Sequence, residues 1–317
     1  MSTAPITVTL PDDEGLREAA GEVPGAQILA WNLDGPPPAE AIDIVVAPYT
    51  GGGAPLENLA LAEHVRLLQW QSIGYDRVPA AFVAGIPVAN AASVHEVATS
   101  ELAVTLALAA QREVPHYVRQ GLEGVWKAKF SPGLADRRVL LIGYGGIGKR
   151  IEARLAGFEV EITRVARTAR EAMNLAGESV QVFGLESLHE RLAEADVVMI
   201  AVPLTDGTTK LLDAAALAAL PDGALIVNVA RGRVIDTDAL LAELQSGRLR
   251  AALDVVDPEP LPVGHPLWGA PNTLVVPHVG GESEAFLPRI SALIRRQIVH
   301  LQRGETPENL VLGEWTE

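Results

Sequence analysis

At 317 residues the chain has room for two domains of ordinary size, taking roughly 150 residues per domain as a soft prior. Hydrophobic residues at 48% against 21% charged supply buried cores and exclude a disordered chain, and a net charge of −15 argues against a nucleic-acid partner while still allowing a local arginine pocket for a small anion. The absence of cysteine excludes disulfides, thiolate metal sites and cysteine nucleophiles, and it fits a cytoplasmic protein.

Met1 to Leu10 lacks the basic-then-apolar pattern of a secretory leader. Short β-type runs then succeed one another: ITVTL from Ile6, AQILAW from Ala26, DIVVAP from Asp43, RLLQWQ from Arg66 and PVAN from Pro87. Their apolar character without strict alternation predicts parallel strands buried on both faces. From His95 to Arg112 the sequence is rich in Ala, Leu and Glu with neither Gly nor Pro, which predicts a long helix whose apolar second half is buried. Its apolar stretch, Leu102 to Ala110, is too short to span a bilayer, so no membrane partner is expected. Pro115 to Leu134 mixes Pro, Gly and Trp and reads as a connection.

A second series starts at Arg138 with RRVLLIGYGGIG and continues through EVEITRVAR, VQVFG, DVVMIAVP, ALIVNVA, LRAALDVV and TLVVPHVGG. Seven strand-like runs are enough for a complete nucleotide-binding sheet in a doubly wound α/β domain. After Glu284, FLPRISALIRRQIVHLQRG predicts a helix, and the reading ends near Val311. Pro36 to Pro38 reads as a turn and Ala214 to Ala219 as a helix.

Gly143, Gly145 and Gly148 stand in the spacing G-x-G-x-x-G, between an apolar strand at Val139 to Ile142 and an amphipathic helix at Ile147 to Leu155. In that context Gly143 permits a tight turn, Gly145 lets a pyrophosphate approach the backbone, and Gly148 allows close helix–strand packing. Gly146 and Ile147 complete the turn, whose helix N-terminus offers N–H groups and a positive dipole end to phosphate. A carboxylate for the ribose 2′-hydroxyl is expected about 20 residues on. The second strand instead ends in Ala166, Arg167, Thr168 and Arg170. Guanidinium groups suit a 2′-phosphate, so the sequence favours NADP(H) over NAD(H).

The ordered motifs GIPVAN, SELAVTLALAAQR, LADRRVLLIGYGGIG, AVPLTDGTT, LIVNVARGRVID, ALDVVDPEPL and VVPHVGG, spread over Ser72 to Gly281, resemble the D-isomer-specific 2-hydroxyacid dehydrogenase family. Glyoxylate/hydroxypyruvate reductases, 3-phosphoglycerate dehydrogenases and D-lactate dehydrogenases belong to that family. The resemblance implies two doubly wound parallel-sheet domains, a Rossmann cofactor domain (100–284) inserted into a flavodoxin-like substrate domain (1–99 and 285–317), and a homodimer. It implies an oxidoreductase moving hydride between NAD(P)H and C2 of a small 2-keto or 2-hydroxy acid. It assigns the catalytic set to Arg231, Glu259 and His278, with no metal. An arginine fork holds the carboxylate and polarises the ketone. Histidine, with a reference pKa of about 6.5, exchanges the proton near neutrality, and a carboxylate against its far nitrogen favours the imidazolium. By the same resemblance the backbone of Ile73 and Gly74 holds the substrate carboxylate, and Val202, Pro203, Thr205 and Thr208 line the cofactor turn together with Ala230 and Gly280. The resemblance also implies that Asp254 approaches the nicotinamide amide.

Two alternatives stay open on the sequence: a short-form phosphoglycerate dehydrogenase, and a non-enzymatic dinucleotide-sensing corepressor-like protein of the same fold. No additional basic cluster for a substrate phosphate is visible, which favours small acids of the glyoxylate or hydroxypyruvate type. Glu259 argues against formate as substrate, because the family's formate enzymes pair the histidine differently.

Overall fold

The computed structural model describes residues 5–49, 55–78, 83 and 85–315. The chain divides into two compact units, one made of Met1–His95 with Ser283–Glu317 and the other of Glu96–Glu282. The first unit opens with β1 (Ile6–Leu10), α1 (Glu14–Ala20), β2 (Ala26–Ala30), β3 (Ala41–Val46), β4 (His64–Gln69) and β5 (Val88–Ala89). α1 starts where the Asp13 carboxylate accepts the Leu16 N–H at 2.9 Å, and it stops at Gly21, whose φ of +60° a residue with a β-carbon rarely adopts.

The second unit runs through α2 (Glu96–Gln111), α3 (Val114–Leu122), β6 (Arg138–Ile142), α4 (Gly146–Leu155), β7 (Glu161–Val165), β8 (Arg170–Met173) and β9 (Ser179–Val182). It continues with α5 (Leu188–Leu192), β10 (Val197–Ile200), α6 (Ala214–Ala219), β11 (Leu225–Asn228), α7 (Thr237–Gln245), β12 (Arg250–Leu253) and β13 (Thr273–Val275). The chain then completes the first unit with α8 (Phe286–Gln302) and β14 (Leu310–Leu312).

The first sheet has the order β2-β1-β3-β4-β5-β14, the flavodoxin-like arrangement with one edge strand added. β14, an edge strand that the sequence reading did not include, pairs with β5 antiparallel. One face buries Val8, Ile44, Val46 and Leu67 under Ile290, Leu293, Ile294 and Ile298 of α8. The other buries Ile42, Val45, Leu68 and Val88 with Trp31, Leu33 and Trp70.

The second sheet is all parallel, ordered β7-β6-β10-β11-β12-β13, with its reversal between β6 and β10. The two-residue period of a strand sends Val139 and Leu141 of β6 to the α2 and α4 side, and Leu140 and Ile142 to the α6 and α7 side. The whole of α2 belongs to this unit because it packs along α4, β11 and β12. The division therefore falls at 95/96 and 282/283, where the sequence put the crossings at 99/100 and 284/285.

Two elements differ from the sequence reading. VQVFG does not enter the large sheet: β9 forms an antiparallel hairpin with β8, and only Phe183 bridges to Val165 of β7. Asn174 makes that hairpin possible by accepting the Ala176 and Glu178 N–H groups in its turn. The segment read as a connection contains α3, since Pro115 lies in its first turn, where a missing N–H costs nothing.

A buried polar link ties α8 to the first sheet. Gln297, fully buried, donates to Gln69 Oε1 at 2.8 Å and exchanges hydrogen bonds with the Glu308 backbone at 2.9 Å. Replacing Gln297 with Ala orphans these groups, at about 1–3 kcal/mol per unsatisfied group. Calorimetry on the Gln297→Ala variant is expected to show a Tm several degrees lower; an unchanged Tm would mean the link is dispensable.

Candidate active site

The order reversal of the second sheet lies between β6 and β10, and open α/β sheets bind ligands at the carboxyl ends of strands flanking such a point. β6 ends there in Gly143, with φ +103°, its N–H bonded to Val165 O at 2.8 Å. A β-carbon on Gly143 would stand 2.3 Å from Ala201 O, and one on Gly148 would stand 2.1 Å from Gly143 O. These two glycines are required by the protein's own packing. Gly146 is crowded as well, by the Glu96 side chain at 2.9 Å. Gly145 is different: a β-carbon there meets nothing within 4 Å. It is also the N-cap of α4 and provides no side-chain cap, so the first N–H groups of α4, through Ile147, have no side chain closing over them at the cap. Open space over an uncapped helix start fits the pyrophosphate of a dinucleotide.

At the end of β7, Arg167 and Thr168 are exposed. Arg170, the first residue of β8, is brought back to the glycine turn. Its guanidinium donates to Tyr144 O and Thr168 O, each at 3.2 Å. After β10, Val202 and Pro203 enter a turn knotted by Thr208, whose hydroxyl accepts the Thr205 N–H at 2.8 Å and donates to Pro203 O at 2.7 Å.

The ends of β11, β12 and β13 lie side by side in the same sheet. β11 leads into Ala230 and Arg231 through a turn braced by Asn228, which accepts the Ala230 N–H and donates to Arg231 O, both at 3.0 Å. Gly232 must follow Arg231, because a β-carbon there would lie 1.9 Å from Val256 O in the loop after β12. That loop carries Glu259, and β13 leads to His278, whose φ of +54° is left-handed. Glu259 Oε1 and His278 Nδ1 are hydrogen-bonded. With Nδ1 held by the carboxylate, Nε2 is the ring nitrogen left for another partner.

Asp254, at the end of β12, is buried and accepts the N–H groups of Val279 at 2.7 Å and Gly280 at 3.0 Å. Burial pushes its carboxyl above the ordinary range, opposed by these two bonds and by nearby His278. Gly280 is fixed from the other side by Thr99, which donates to Gly280 O at 3.0 Å.

In the first unit, Ile73 and Gly74 follow β4. Asn90 donates to Ile73 O at 2.8 Å and Trp70 Nε1 to Gly74 O at 2.9 Å, so both carbonyls are tied down. The Ala91 N–H holds Ser72 O at 3.0 Å, and His95 Nε2 contacts Gln71 O at 2.7 Å.

Similarity to known proteins can be set beside this geometry. The family model described as D-isomer specific 2-hydroxyacid dehydrogenase, NAD binding domain, matches residues 104–280. A glyoxylate reductase of Thermofilum pendens is 32% identical over 81% of this chain and 78% of its own. A D-3-phosphoglycerate dehydrogenase of Methanocaldococcus jannaschii is 32% identical over 79% of this chain and 48% of its own. The crystal structure of a D-isomer specific 2-hydroxyacid dehydrogenase from Xanthobacter autotrophicus Py2, in complex with NADPH and MES, has a TM-score of 0.82 at 29% identity, covering 98% of both chains.

The chain belongs to the D-isomer specific 2-hydroxyacid dehydrogenase family. It is an NAD(P)-dependent oxidoreductase that transfers hydride to and from C2 of a 2-keto or 2-hydroxy acid. Of the residues picked out by sequence, the dehydrogenase brings Glu259 together with His278, Asp254 with Gly280, and Arg170 with the glycine turn. Arg231 stands at the neighbouring strand end, and Arg167 and Thr168 lie in the exposed loop. Sequence reasoning missed the braces Asn228, Thr99, Asn90 and Trp70. Only Asn228 carried a signal, as an amide ending a fully apolar strand. Among the described residues no helix is long and apolar enough to cross a membrane.

The contrast between glycines gives a direct check. Gly148→Ala forces a methyl into Gly143 O and is expected to unfold or strongly destabilise the second unit. Gly145→Ala meets no protein atom within 4 Å and is expected to keep the wild-type melting curve while weakening dinucleotide binding at least tenfold, a loss of about 1.4 kcal/mol. Equal loss of stability in both variants would refute the assignment of Gly145 to the ligand.

Proposed function

We propose that this enzyme reduces small 2-keto acids of the glyoxylate or hydroxypyruvate type with NADPH, using His278 as acid/base, Glu259 as its partner and Arg231 as the substrate's anchoring and polarising group. The observation that carries the reading is the hydrogen-bonded Glu259–His278 pair beyond β12 and β13, with Arg231 beyond the adjacent β11. The relatives named glyoxylate reductase point the same way.

Bound nicotinamide supplies or takes up the hydride at C2. The residues of the chain handle charge and the proton. The Arg231 guanidinium offers forked, charge-assisted donors to a carboxylate and to the ketone oxygen on which negative charge grows. His278 Nε2 gives its proton to that oxygen in reduction and recovers it in oxidation. Glu259 holds Nδ1 and so fixes the orientation of the ring. Asp254 serves these steps by bracing the loop after His278 through Val279 and Gly280, and we assign its contact with the nicotinamide amide a secondary part. In the first unit, the loop carrying Ile73 and Gly74, held by Asn90 and Trp70 through its carbonyls, is the segment we assign to the substrate carboxylate on the family resemblance.

For the cofactor, the lack of a carboxylate after β7 and the tethering of Arg170 at the glycine turn support NADP(H) over NAD(H). NADPH in the Xanthobacter autotrophicus structure is consistent with it. A homodimer is supported by α3 and the segment after it. α3 has no buried residue, and Val118, Leu122, Trp126 and Phe130 are exposed, an apolar surface suited to a second copy. A cytoplasmic location fits the lack of cysteine.

Following absorbance at 340 nm with NADPH or NADH and a panel of glyoxylate, hydroxypyruvate, pyruvate and phenylpyruvate tests the substrate reading. NADPH oxidation with the first two is expected, and activity confined to larger acids would overturn the choice. His278→Ala and Arg231→Ala are each expected to lower kcat/KM by at least about 10²-fold with dinucleotide affinity retained; near-normal turnover in either would remove it from the set.

The Glu259→Gln variant isolates the charge on the pair. The amide keeps the size of the side chain but not the carboxylate that holds Nδ1. The variant is expected to lower kcat/KM at least about tenfold with dinucleotide affinity retained, and near-normal turnover would remove Glu259 from the set.

A further inference from the structure

Glu152 lies on α4, two turns past the glycine loop, and is buried. Every polar partner it has leads to a different element at the dinucleotide end of the second unit. Its Oε2 accepts the Tyr144 hydroxyl and, at 3.0 Å, Arg164 Nε. Its Oε1 accepts Arg164 Nη2 at 2.6 Å and makes a long contact of 3.5 Å with Asn174 Nδ2. Tyr144 belongs to the glycine loop, Arg164 to β7, and Asn174 to the turn of the β8–β9 hairpin. The Arg164 guanidinium also lies 5.8 Å from the Tyr144 ring centroid.

Burial and the bond to Glu152 push the Tyr144 phenol up to about 12, so its hydroxyl remains a donor at any working pH. Burial works to raise the Glu152 carboxyl, but the bonds from Arg164 and Tyr144 and the Arg164 charge outweigh it and hold the group below the usual carboxylate range.

A buried ion pair is a weak source of stability, since apolar residues of similar size often do as well or better; its attested use is to fix one geometry among several. What is fixed here is the relation between the glycine loop and the hairpin. Tyr144 carries the carbonyl to which Arg170 Nη2 is bonded at 3.2 Å, and Asn174 holds the far end of β8, whose first residue is Arg170. Arg164, meanwhile, is turned back into the pair, so its charge is neutralised. Arg170 is the guanidinium directed at the turn.

We propose that Tyr144, Glu152 and Asn174 are positioning residues that hold Arg170 against the glycine loop and thereby set the preference for a 2′-phosphorylated dinucleotide. The inference rests on the reading of Arg170 as a 2′-phosphate ligand. None of the three need touch the cofactor. Their effect is transmitted through the Tyr144 carbonyl on one side and the hairpin turn on the other.

The test measures Kd for NADPH and for NADH separately, by the fluorescence of the bound nicotinamide, in the wild type and in Arg170→Ala, Tyr144→Phe, Asn174→Ala and the double variant Tyr144→Phe/Arg170→Ala. Arg170→Ala is expected to weaken NADPH about tenfold or more and NADH by less than about twofold. Tyr144→Phe, which removes one hydroxyl and leaves the Glu152–Arg164 pair in place, is expected to weaken NADPH about three- to tenfold with NADH nearly unchanged. Because both variants act through the same guanidinium, the Tyr144→Phe effect is expected to vanish in the Arg170→Ala background. Asn174→Ala should shift the ratio in the same direction and decides the matter should Tyr144→Phe fold poorly. Equal weakening of both dinucleotides, or an effect that persists undiminished without Arg170, would overturn the proposal. A wild type without preference, or an Arg170→Ala variant that keeps it, would remove the underlying cofactor reading and the proposal with it. A silent Tyr144→Phe beside a responsive Arg170→Ala would sink the proposal alone.

Discussion

Parallel pairing within the second sheet is the constraint on which the rest depends. Val139, Val197, Leu225 and Arg250 stand in one row across β6, β10, β11 and β12, so these strands start level and finish level. Each is short, and each hands the chain to a loop at the same edge. Gly143, Val202, Arg231, Asp254 and His278 are therefore brought to one edge by hydrogen-bond register, although they are far apart in sequence. The fully apolar interior of these strands makes the register costly to shift, because a slip by one residue would exchange the faces on which Val139 and Leu140 are buried.

Once that edge exists, glycine decides how closely the loops can crowd it. Gly143 and Gly148 let the first turn fold onto itself and onto Ala201, and Gly232 lets the Arg231 turn press against the loop that carries Glu259. The left-handed backbone at His278 belongs to the same crowding. Its N–H is bonded to Asp254 O at 2.8 Å, while Asp254 captures the next two amides with its carboxylate. A conformation that a β-carbon disfavours is kept because three N–H groups bonded to one aspartate over-determine it.

Much of this was legible in the sequence because the chemistry is local. A strand, a glycine turn and a helix are contiguous in VLLIGYGGIGKRIEARL, and the Arg231, Glu259 and His278 segments each carry their own strand before them. What was not legible depended on partners distant in sequence. β8 and β9 are short and largely exposed, so no apolar period marked their pairing, and the Asn174–Gly177 turn was the one cue to a hairpin. α3 was hidden because the mix of Pro, Gly and Trp from Pro115 to Leu134 reads as a connection, whereas Pro115 in the first turn is harmless to a helix. Asp254 shows the limit most clearly. Its place at the end of β12 was evident, but that its carboxylate is engaged by Val279 and Gly280 follows only from the approach of β13.

A chain with a net charge of −15 must still make a place for anions, and the choice of partner for each arginine is how it does so. Arg138 is paired with Asp196, Arg164 with Glu152 and Arg248 with Glu243, and in each case the carboxylate cancels the charge within 3 Å. Arg170 makes its described bonds to the carbonyls of Tyr144 and Thr168. A carbonyl orients a guanidinium without neutralising it, so the full positive charge stays at the glycine turn. At physiological salt the field of distant surface carboxylates is damped beyond about 8 Å, so it does little to offset a guanidinium held beside the glycine turn. Overall acidity and local anion binding are thus compatible: the first is a sum over the surface, and the second depends on which arginines are bonded to oxygens that carry no charge.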